Sequence, residues 1–167
     1  MKKILLLSDT HGTIDEQILK YVKEADEVWH AGDIGHETVT QQLSNLKPLF
    51  AVYGNIDNHE CRIQHPEYYF SEKEGVKIII IHIAGSFGKY NEKVKGLIQK
   101  YQPQILVCGH SHILKVAYDE KYNLLYVNPG AAGKHGFHKI RTLLRFELEN
   151  SNIKNMDVIE LGKRASV

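Results

Sequence analysis

The strongest constraint on the fold is a repeated pairing of a short apolar run with a loop that carries glycine or a chelating side chain. The five runs cover residues 4–7, 28–29, 49–53, 76–81 and 105–108. Short apolar runs without alternation are typical of strands that are buried on both faces of a sheet. The pattern therefore predicts a layered protein with a largely parallel sheet.

Helical spacing of apolar residues between the first runs supports this prediction. Residues 15–23 and 38–46 are expected to be helices, which gives a βαβαβ order and parallel strands. Residues 57–66 are polar and are predicted to form a loop. An antiparallel hairpin is expected at 68–70 and 76–81, and a helix at 92–101. Residues 116–118, 124–127, 142–148 and 153–159 are expected to be antiparallel strands.

Composition excludes several classes of protein. The net charge is +1, with acidic and basic residues interspersed, which argues against nucleic-acid binding driven by charge. No apolar run approaches the ~18 residues that a membrane span needs. Two cysteines cannot form a disulfide framework. The sequence thus predicts a cytoplasmic protein with no membrane contact and one domain over residues 1–167.

Chelating side chains follow each of the five predicted strands. Seven of them share this position, and they are Asp9, His11, Asp33, Asn55, His82, His110 and His112. Ligand sites in open α/β sheets lie outside the carboxyl ends of the strands, so these loops are expected to converge on one rim. Ten histidines in the chain add weight to a metal site, because imidazole is the commonest metal ligand.

The ordered motifs resemble those of the calcineurin-like metallophosphoesterases. They are Ser-Asp-Thr-His-Gly at 8–12, Gly-Asp at 32–33, Gly-Asn-Ile-Asp at 54–57, His82, and Gly-His-Ser-His at 109–112. The short chain and the Asn-Pro-Gly turn at 128–130 resemble the small YfcE-like phosphodiesterase branch. The resemblance implies a metallophosphoesterase-type β-sandwich of mixed sheets flanked by helices, within the α/β class.

The resemblance also implies two metal positions. The first would be held by Asp9, His11 and His112, and the second by Asn55, His82 and His110. Asp33 would bridge the two. Oxygen and imidazole ligands without thiolate suit two divalent ions per chain, with Mn²⁺ favoured over Fe²⁺, Ni²⁺, Co²⁺ or Zn²⁺.

The activity expected from this likeness is that of a metal-dependent phosphodiesterase or phosphoesterase acting on a small phosphoester. A hydroxide bridging the two metals would attack phosphorus in line, without a covalent intermediate. Asn55 and His138 are the candidate substrate-binding residues. A homodimer or higher homo-oligomer remains open as the assembly.

The chain departs from the wider superfamily at position 56. Ile56 stands where many relatives carry the histidine that protonates the leaving group, and no other catalytic acid is evident. Asp57 is a candidate supporting residue, expected to be able to orient a histidine placed at position 56. Among the remaining histidines, His36, His59 and His138 are the first candidates for a replacement acid.

Two other functions compete with the hydrolase. A protein-interaction scaffold on a metallophosphoesterase fold is the main alternative, because the retromer scaffold subunit of eukaryotes is similar in fold. The complete set of seven ligands argues against it. A nuclease is the second alternative, and the neutral net charge argues against that.

Overall fold

The computed structural model describes residues 1–164, which form twelve strands and four helices. In chain order these are β1 (Lys2–Leu7), α1 (Glu16–Glu24), β2 (Glu27–His30), α2 (Glu37–Leu46), β3 (Leu49–Ala51), α3 (His59–Gln64), β4 (Tyr68–Lys73), β5 (Val76–Ile81), β6 (Gly85–Ser86), β7 (Lys89–Tyr90), α4 (Glu92–Tyr101), β8 (Ile105–Val107), β9 (Leu114–Asp119), β10 (Leu124–Pro129), β11 (Ile140–Glu149) and β12 (Asn152–Lys163). Each helix begins at a side chain that accepts a main-chain N–H of the first turn, namely Asp15, His36, Asn58 and Asn91.

The strands form two mixed sheets and a small hairpin. The first sheet has the order β12-β11-β1-β2-β3, with β1, β2 and β3 parallel and β11 antiparallel to β1. The second has the order β4-β5-β8-β10-β9, with a parallel centre and antiparallel edges. In the described part of the chain, strands β6 and β7 pair only with each other.

The two sheets pack face to face. Successive side chains of β1 point to opposite faces of the sheet and so belong to two different apolar clusters. Ile4 and Leu6 point inward to the cluster that contains Trp29 and the isoleucines of β5. Leu5 and Leu7 point outward and pack under α1 and α2. Helix α4 covers the outer face of the second sheet. Over residues 1–164, none of the helices is both long and apolar enough to cross a membrane.

The architecture confirms the predicted α/β sandwich of mixed sheets flanked by helices, and one prediction about an element is wrong. Residues 59–64 form helix α3 where a loop was expected. This helix has no buried residue, so no apolar periodicity marks it, and its signals are the Asn58 cap and the Glu60 and Arg62 charges at its ends. The hairpin of β6 and β7 is an element that the sequence did not predict.

Candidate metal centre

The loops after β1, β2, β3, β5 and β8 meet at one edge of the sandwich and bring the seven candidate ligands together. The main-chain amide of His110 donates to Oδ2 of Asp9 over 3.1 Å, although the two residues are 101 positions apart. His82 Nε2 lies 3.0 Å from Oδ1 of Asn55. The expected convergence of the strand-end loops is therefore observed.

Six of these residues form two compact groups that could each hold a metal ion. The first group contains Asp9, His11 and His112, and the second contains Asp33, His82 and His110. Within each group, one donor atom per residue lies within 4.8 Å of the others. Both groups combine carboxylate oxygen with imidazole nitrogen, which is a donor set for divalent ions of borderline softness.

Asp33 belongs to the second group and also reaches the first. Its Oδ1 atom is 3.2 Å from Nε2 of His82, and its Oδ2 atom is 3.5 Å from Nε2 of His11. Each carboxylate oxygen therefore faces a different group. Asn55 adds an amide oxygen to the second group, because its Oδ1 atom lies 3.0 Å from both His82 Nε2 and His110 Nδ1.

The backbone is strained at five of the seven candidate ligands. They adopt the left-handed conformation, with φ of 53° at Asp9, 44° at His11, 54° at Asp33, 71° at His110 and 60° at His112. This region is unfavourable for residues with a Cβ atom, and such strain clusters at functional sites. The other non-glycine residues with positive φ in residues 1–164 lie at turns, a helix end and a bulge.

Two glycines let neighbouring loops approach the ligands closely. A Cβ atom on Gly54 would lie 2.0 Å from Oδ1 of Asp33. One on Gly109 would lie 2.1 Å from Oγ of Ser8 and 2.6 Å from Oδ2 of Asp9. Neither distance is tolerable, so both positions require glycine.

Hydrogen bonds outside the groups direct the ligand atoms inward. The Nδ1–H of His82 donates to the carbonyl of Ala31 over 2.7 Å, which leaves Nε2 free to face the site. Oδ2 of Asp9 accepts from Ser8 Oγ over 2.6 Å and from the His110 amide. Oδ1 of Asp9 is left facing the site, 3.1 Å from Nε2 of His112.

Two buried polar atoms at this site make no hydrogen bond within residues 1–164. They are Oδ1 of Asp9 and Nε2 of His11. A buried polar atom without a partner is costly, and a bound water or ion is one way in which native proteins satisfy such an atom. A divalent cation would satisfy both atoms, so the residues present fit the metal that their chemistry indicates.

Charge coupling shifts the pKa values of the site. Burial would raise the pKa of Asp33, but its contacts with His82 and the Ile56 amide outweigh burial and lower it. Burial would raise the pKa of Asp9 too, and His112, His82 and Ser8 lower it. Burial would lower the pKa of His82, but its contacts with Asp33 and Asp9 outweigh burial and raise it. The carboxylates are thus held ionised among the histidines.

Asp57 holds two ligand loops together. Its buried carboxylate accepts main-chain N–H bonds from Ile34, Gly35 and Gly54 over 3.1, 2.9 and 2.7 Å. These bonds join the loop that carries Asp33 to the loop that carries Asn55. Asp57 therefore supports both loops, and its ability to orient a histidine placed at position 56 stays a prediction.

His30 has a comparable role between the loops after β1 and β2. Its Nδ1 atom accepts from the Gly32 amide over 3.1 Å, and its Nε2–H donates to Oγ1 of Thr10, with 2.9 Å between the nitrogen and the oxygen. Thr10 in turn donates to the carbonyl of Ile34. Complete burial lowers the pKa of His30 to about 4, which keeps the ring neutral.

The other histidines singled out from the sequence lie in different places. Nδ1 of His36 accepts from the Thr38 amide and caps α2, and His59 is an exposed residue at the start of α3. His138 lies against His112 with ring centroids 5.2 Å apart, and its Nε2–H donates to the carbonyl of Gly133. His135 belongs to the same glycine-rich loop, for which the sequence left a solvated loop and a phosphate-contacting loop open, and its ring lies 4.8 Å from that of His11.

Comparisons with known proteins agree with this geometry. A probable metallophosphoesterase of Mycoplasma genitalium is 30% identical over 137 residues, which cover 78% of this chain and 77% of that protein. A predicted phosphoesterase structure from Streptococcus pneumoniae matches with a TM-score of 0.74 and 24% identity, covering 98% of this chain and 90% of the other.

Two further structures share the fold. A novel archaeal phosphodiesterase matches with a TM-score of 0.68 and 21% identity, over 94% of this chain and 99% of the other. Wild-type Vps29 of Entamoeba histolytica, complexed with zinc, matches with a TM-score of 0.73 and 15% identity, covering 95% of this chain and 98% of the other. The model of the calcineurin-like phosphoesterase superfamily domain matches residues 1–151, so the chain belongs to this superfamily of metallophosphoesterases.

Proposed function

We propose that the protein is a metal-dependent phosphodiesterase that cleaves small phosphoesters with water as the nucleophile. The observation that carries the proposal is the position of Asp33, whose two carboxylate oxygens face the two ligand groups 3.2 and 3.5 Å from His82 and His11. A carboxylate that faces two such groups can bind one divalent ion with each of its oxygens. The superfamily membership of the chain supports the same chemistry.

The proposed ligands follow from the two groups. Asp9, His11 and His112 would hold one ion, Asn55, His82 and His110 the other, and Asp33 both. We propose Mn²⁺ as the ion, because oxygen and imidazole donors without thiolate suit it. Two such ions lower the pKa of water and offset the charge on the phosphate when they are bound.

The residues around the ligands hold this arrangement in place. Asp57 and His30 fix the loops that carry Asp33 and Asp9, and the Ile56 amide donates to Oδ1 of Asp33 over 3.1 Å. The Ile56 side chain is 46% exposed at the rim and carries no proton. Departure of the leaving group is therefore unassisted at that position, which favours stable leaving groups such as phenolates.

Two cavities beside the ligands support a diester substrate. The Arg62 cavity, of about 500 Å³, borders Asn55 and His82 and is named here for Arg62, which lines it with Tyr53. The Phe87 cavity, of about 340 Å³, borders His110 and is lined by Phe87 and Lys115. Ile83 lines both cavities. A phosphate bound at the ligand groups thus has two neighbouring cavities in which its substituents could lie.

The experiment compares bis(p-nitrophenyl) phosphate with p-nitrophenyl phosphate, which share a leaving group. Chelator-treated protein should be inactive on both, and added Mn²⁺ should restore hydrolysis, with kcat/KM higher for the diester. Undiminished activity after complete metal removal would refute the metal dependence. A preference for the monoester would refute the diesterase.

A protein-interaction scaffold is the alternative, and the Vps29 structures that share this fold fit it. Exposed apolar side chains near the ligand loops favour it too, since Phe137 is fully exposed and Ile113 is 66% exposed. Stoichiometric metal binding without turnover of any phosphoester would favour the scaffold over the hydrolase.

A further inference from the structure

The Arg62 cavity has walls of distinct chemistry. Its lining combines the apolar side chains of Ile81 and Ile83 with the aromatic Tyr53 and the cationic Arg62, and it includes His82 of the second ligand group. Pockets of this size that combine apolar walls with a few fixed polar groups are typical of small-molecule sites.

Arg62 is held rigidly in this cavity. Its Nε–H donates to the carbonyl of Asp57 over 2.8 Å, and Nη2 donates to the carbonyl of Asn55 over 3.2 Å. Its guanidinium carbon lies 4.8 Å from the centre of the Tyr53 ring. Two carbonyls and one ring therefore fix the guanidinium plane before any ligand arrives, which reduces the entropy lost on binding.

The charge of Arg62 is available to a ligand. The other cation of the cavity, Lys93, is bound to both carboxylate oxygens of Glu67 at 2.6 Å. Within residues 1–164, Arg62 makes no salt bridge, since the nearby Asp57 carboxylate binds backbone amides. A fixed, unpaired guanidinium beside an aromatic ring and isoleucines is suited to a planar, polarisable group.

We propose that the Arg62 cavity binds a planar ring of the substrate, such as a nucleobase, against the guanidinium of Arg62 and the ring of Tyr53. The proposal rests on the proposed phosphodiesterase function and deepens it, since it makes nucleoside phosphodiesters the favoured substrate class. Ile83 is then a specificity-determining residue, because it lines both this cavity and the Phe87 cavity.

The test compares two phosphomonoesters, thymidine 5′-monophosphate and methyl phosphate, which place a similar phosphate at the ligand groups but differ in the ring. Calorimetric titration of the protein supplied with Mn²⁺ gives both affinities. The wild type should bind the nucleotide roughly tenfold more tightly than methyl phosphate, a ratio within the range of base stacking on side chains.

The variants address the two walls separately. Arg62→Ala should bring the affinity ratio close to one, and Arg62→Lys should retain only part of it, because lysine keeps the charge but lacks the planar face. Ile83→Trp should lower the ratio by filling the cavity without altering the contacts of Arg62. Arg145→Ala, which changes an exposed arginine of the first sheet, should leave the ratio unchanged.

The ratio also isolates the ring from the phosphate. If Arg62→Ala disturbs the Asn55 loop, the affinities for both phosphomonoesters change together, and their ratio stays the same. A wild-type ratio near one, or a ratio that survives both Arg62→Ala and Ile83→Trp, would overturn the proposal. If the Mn²⁺-loaded wild type hydrolyses no phosphoester, the proposed function fails, and the affinity ratio still decides whether the cavity binds a ring.

Discussion

Oδ2 of Asp57 accepts a 2.7 Å hydrogen bond from the main-chain amide of Gly54, three residues earlier in the same loop. The same carboxylate accepts from Ile34 and Gly35 of the neighbouring loop. One side chain that is not itself a candidate ligand therefore sets the distance between the loops of Asp33 and Asn55.

We expect Asp57→Asn to weaken metal binding about tenfold or more and to lower the free energy of unfolding by about 1–3 kcal/mol. An amide keeps one acceptor oxygen, so at least one buried N–H loses its partner. Metal titration and denaturant unfolding measure both effects. Asp26→Asn is the matched control, because the exposed Asp26 accepts one amide, from Lys3 over 2.8 Å. Unchanged metal affinity in Asp57→Asn would contradict this role.

Asp33→Asn should lower kcat/KM on bis(p-nitrophenyl) phosphate by at least about 10³-fold and reduce the bound Mn²⁺ below two ions per chain. The substitution removes the charge that faces both groups, so both ions lose affinity. Metal analysis of the purified variant measures the stoichiometry, and Asp157→Asn at an exposed ion pair serves as the control. Two tightly bound ions in Asp33→Asn would exclude a bridging role.

The isoleucine at position 56 predicts a steep dependence of rate on the leaving group. Without a proton donor there, aryl esters should be cleaved well and simple alkyl esters poorly, because general acid help is typically worth ~10²–10⁴ in rate. A series of aryl and alkyl phosphodiesters measures this dependence. Equal rates across the series, with chemistry rate-limiting, would reveal another acid, and the rings of His135 and His138 lie 4.8 and 5.2 Å from those of His11 and His112.

Gly109→Ala should reduce metal affinity strongly at the first group. The added methyl would sit 2.1 Å from Ser8 Oγ and 2.6 Å from Asp9 Oδ2, so Asp9 has to move. Gly96→Ala is the matched control, since Gly96 lies within α4 with nothing within 4 Å of a Cβ atom. That control should raise the free energy of unfolding by about 0.5–1 kcal/mol. Normal metal binding by Gly109→Ala would contradict this prediction, because it would show that the loop accommodates the methyl group without displacing Asp9.

His30 should make the fold sensitive to acid. Its pKa is lowered from 6.5 to about 4, so the unfolded chain binds the proton more readily than the folded one. Stability is therefore complete above pH 6.5 and falls as the pH drops toward 4, by about 3 kcal/mol for this group. His30→Gln should be less stable at pH 7 but show a flatter profile between pH 6.5 and 4. An unchanged profile in denaturant unfolding would contradict this assignment.

Strand positions and the order of the ligand loops could be predicted from the sequence, because both are local signals. Helix α4 begins and ends where its apolar spacing and Pro103 indicated, at Glu92 and Tyr101. The runs ending at Leu7 and Ile81 are strands buried on both faces, as their composition required. The same sequence motifs also named the candidate ligands that follow these strands.

The roles of Asp57 and Arg62 could not be predicted, because they depend on contacts between loops. Asp57 binds amides 22 and 23 residues away, and no pattern in its own loop indicates them. Arg62 lies on the short helix α3, which buries no residue and was predicted to be a loop. The proximity of His135 to His11 likewise joins distant parts of the chain.

The ligand groups also span the seam between the two sheets. Asp9, His11, Asp33 and Asn55 follow strands of the first sheet, whereas His82, His110 and His112 follow strands of the second. Each group takes ligands from both. An ion bound to either group would therefore link the two sheets, so metal binding would stabilise the whole fold against unfolding.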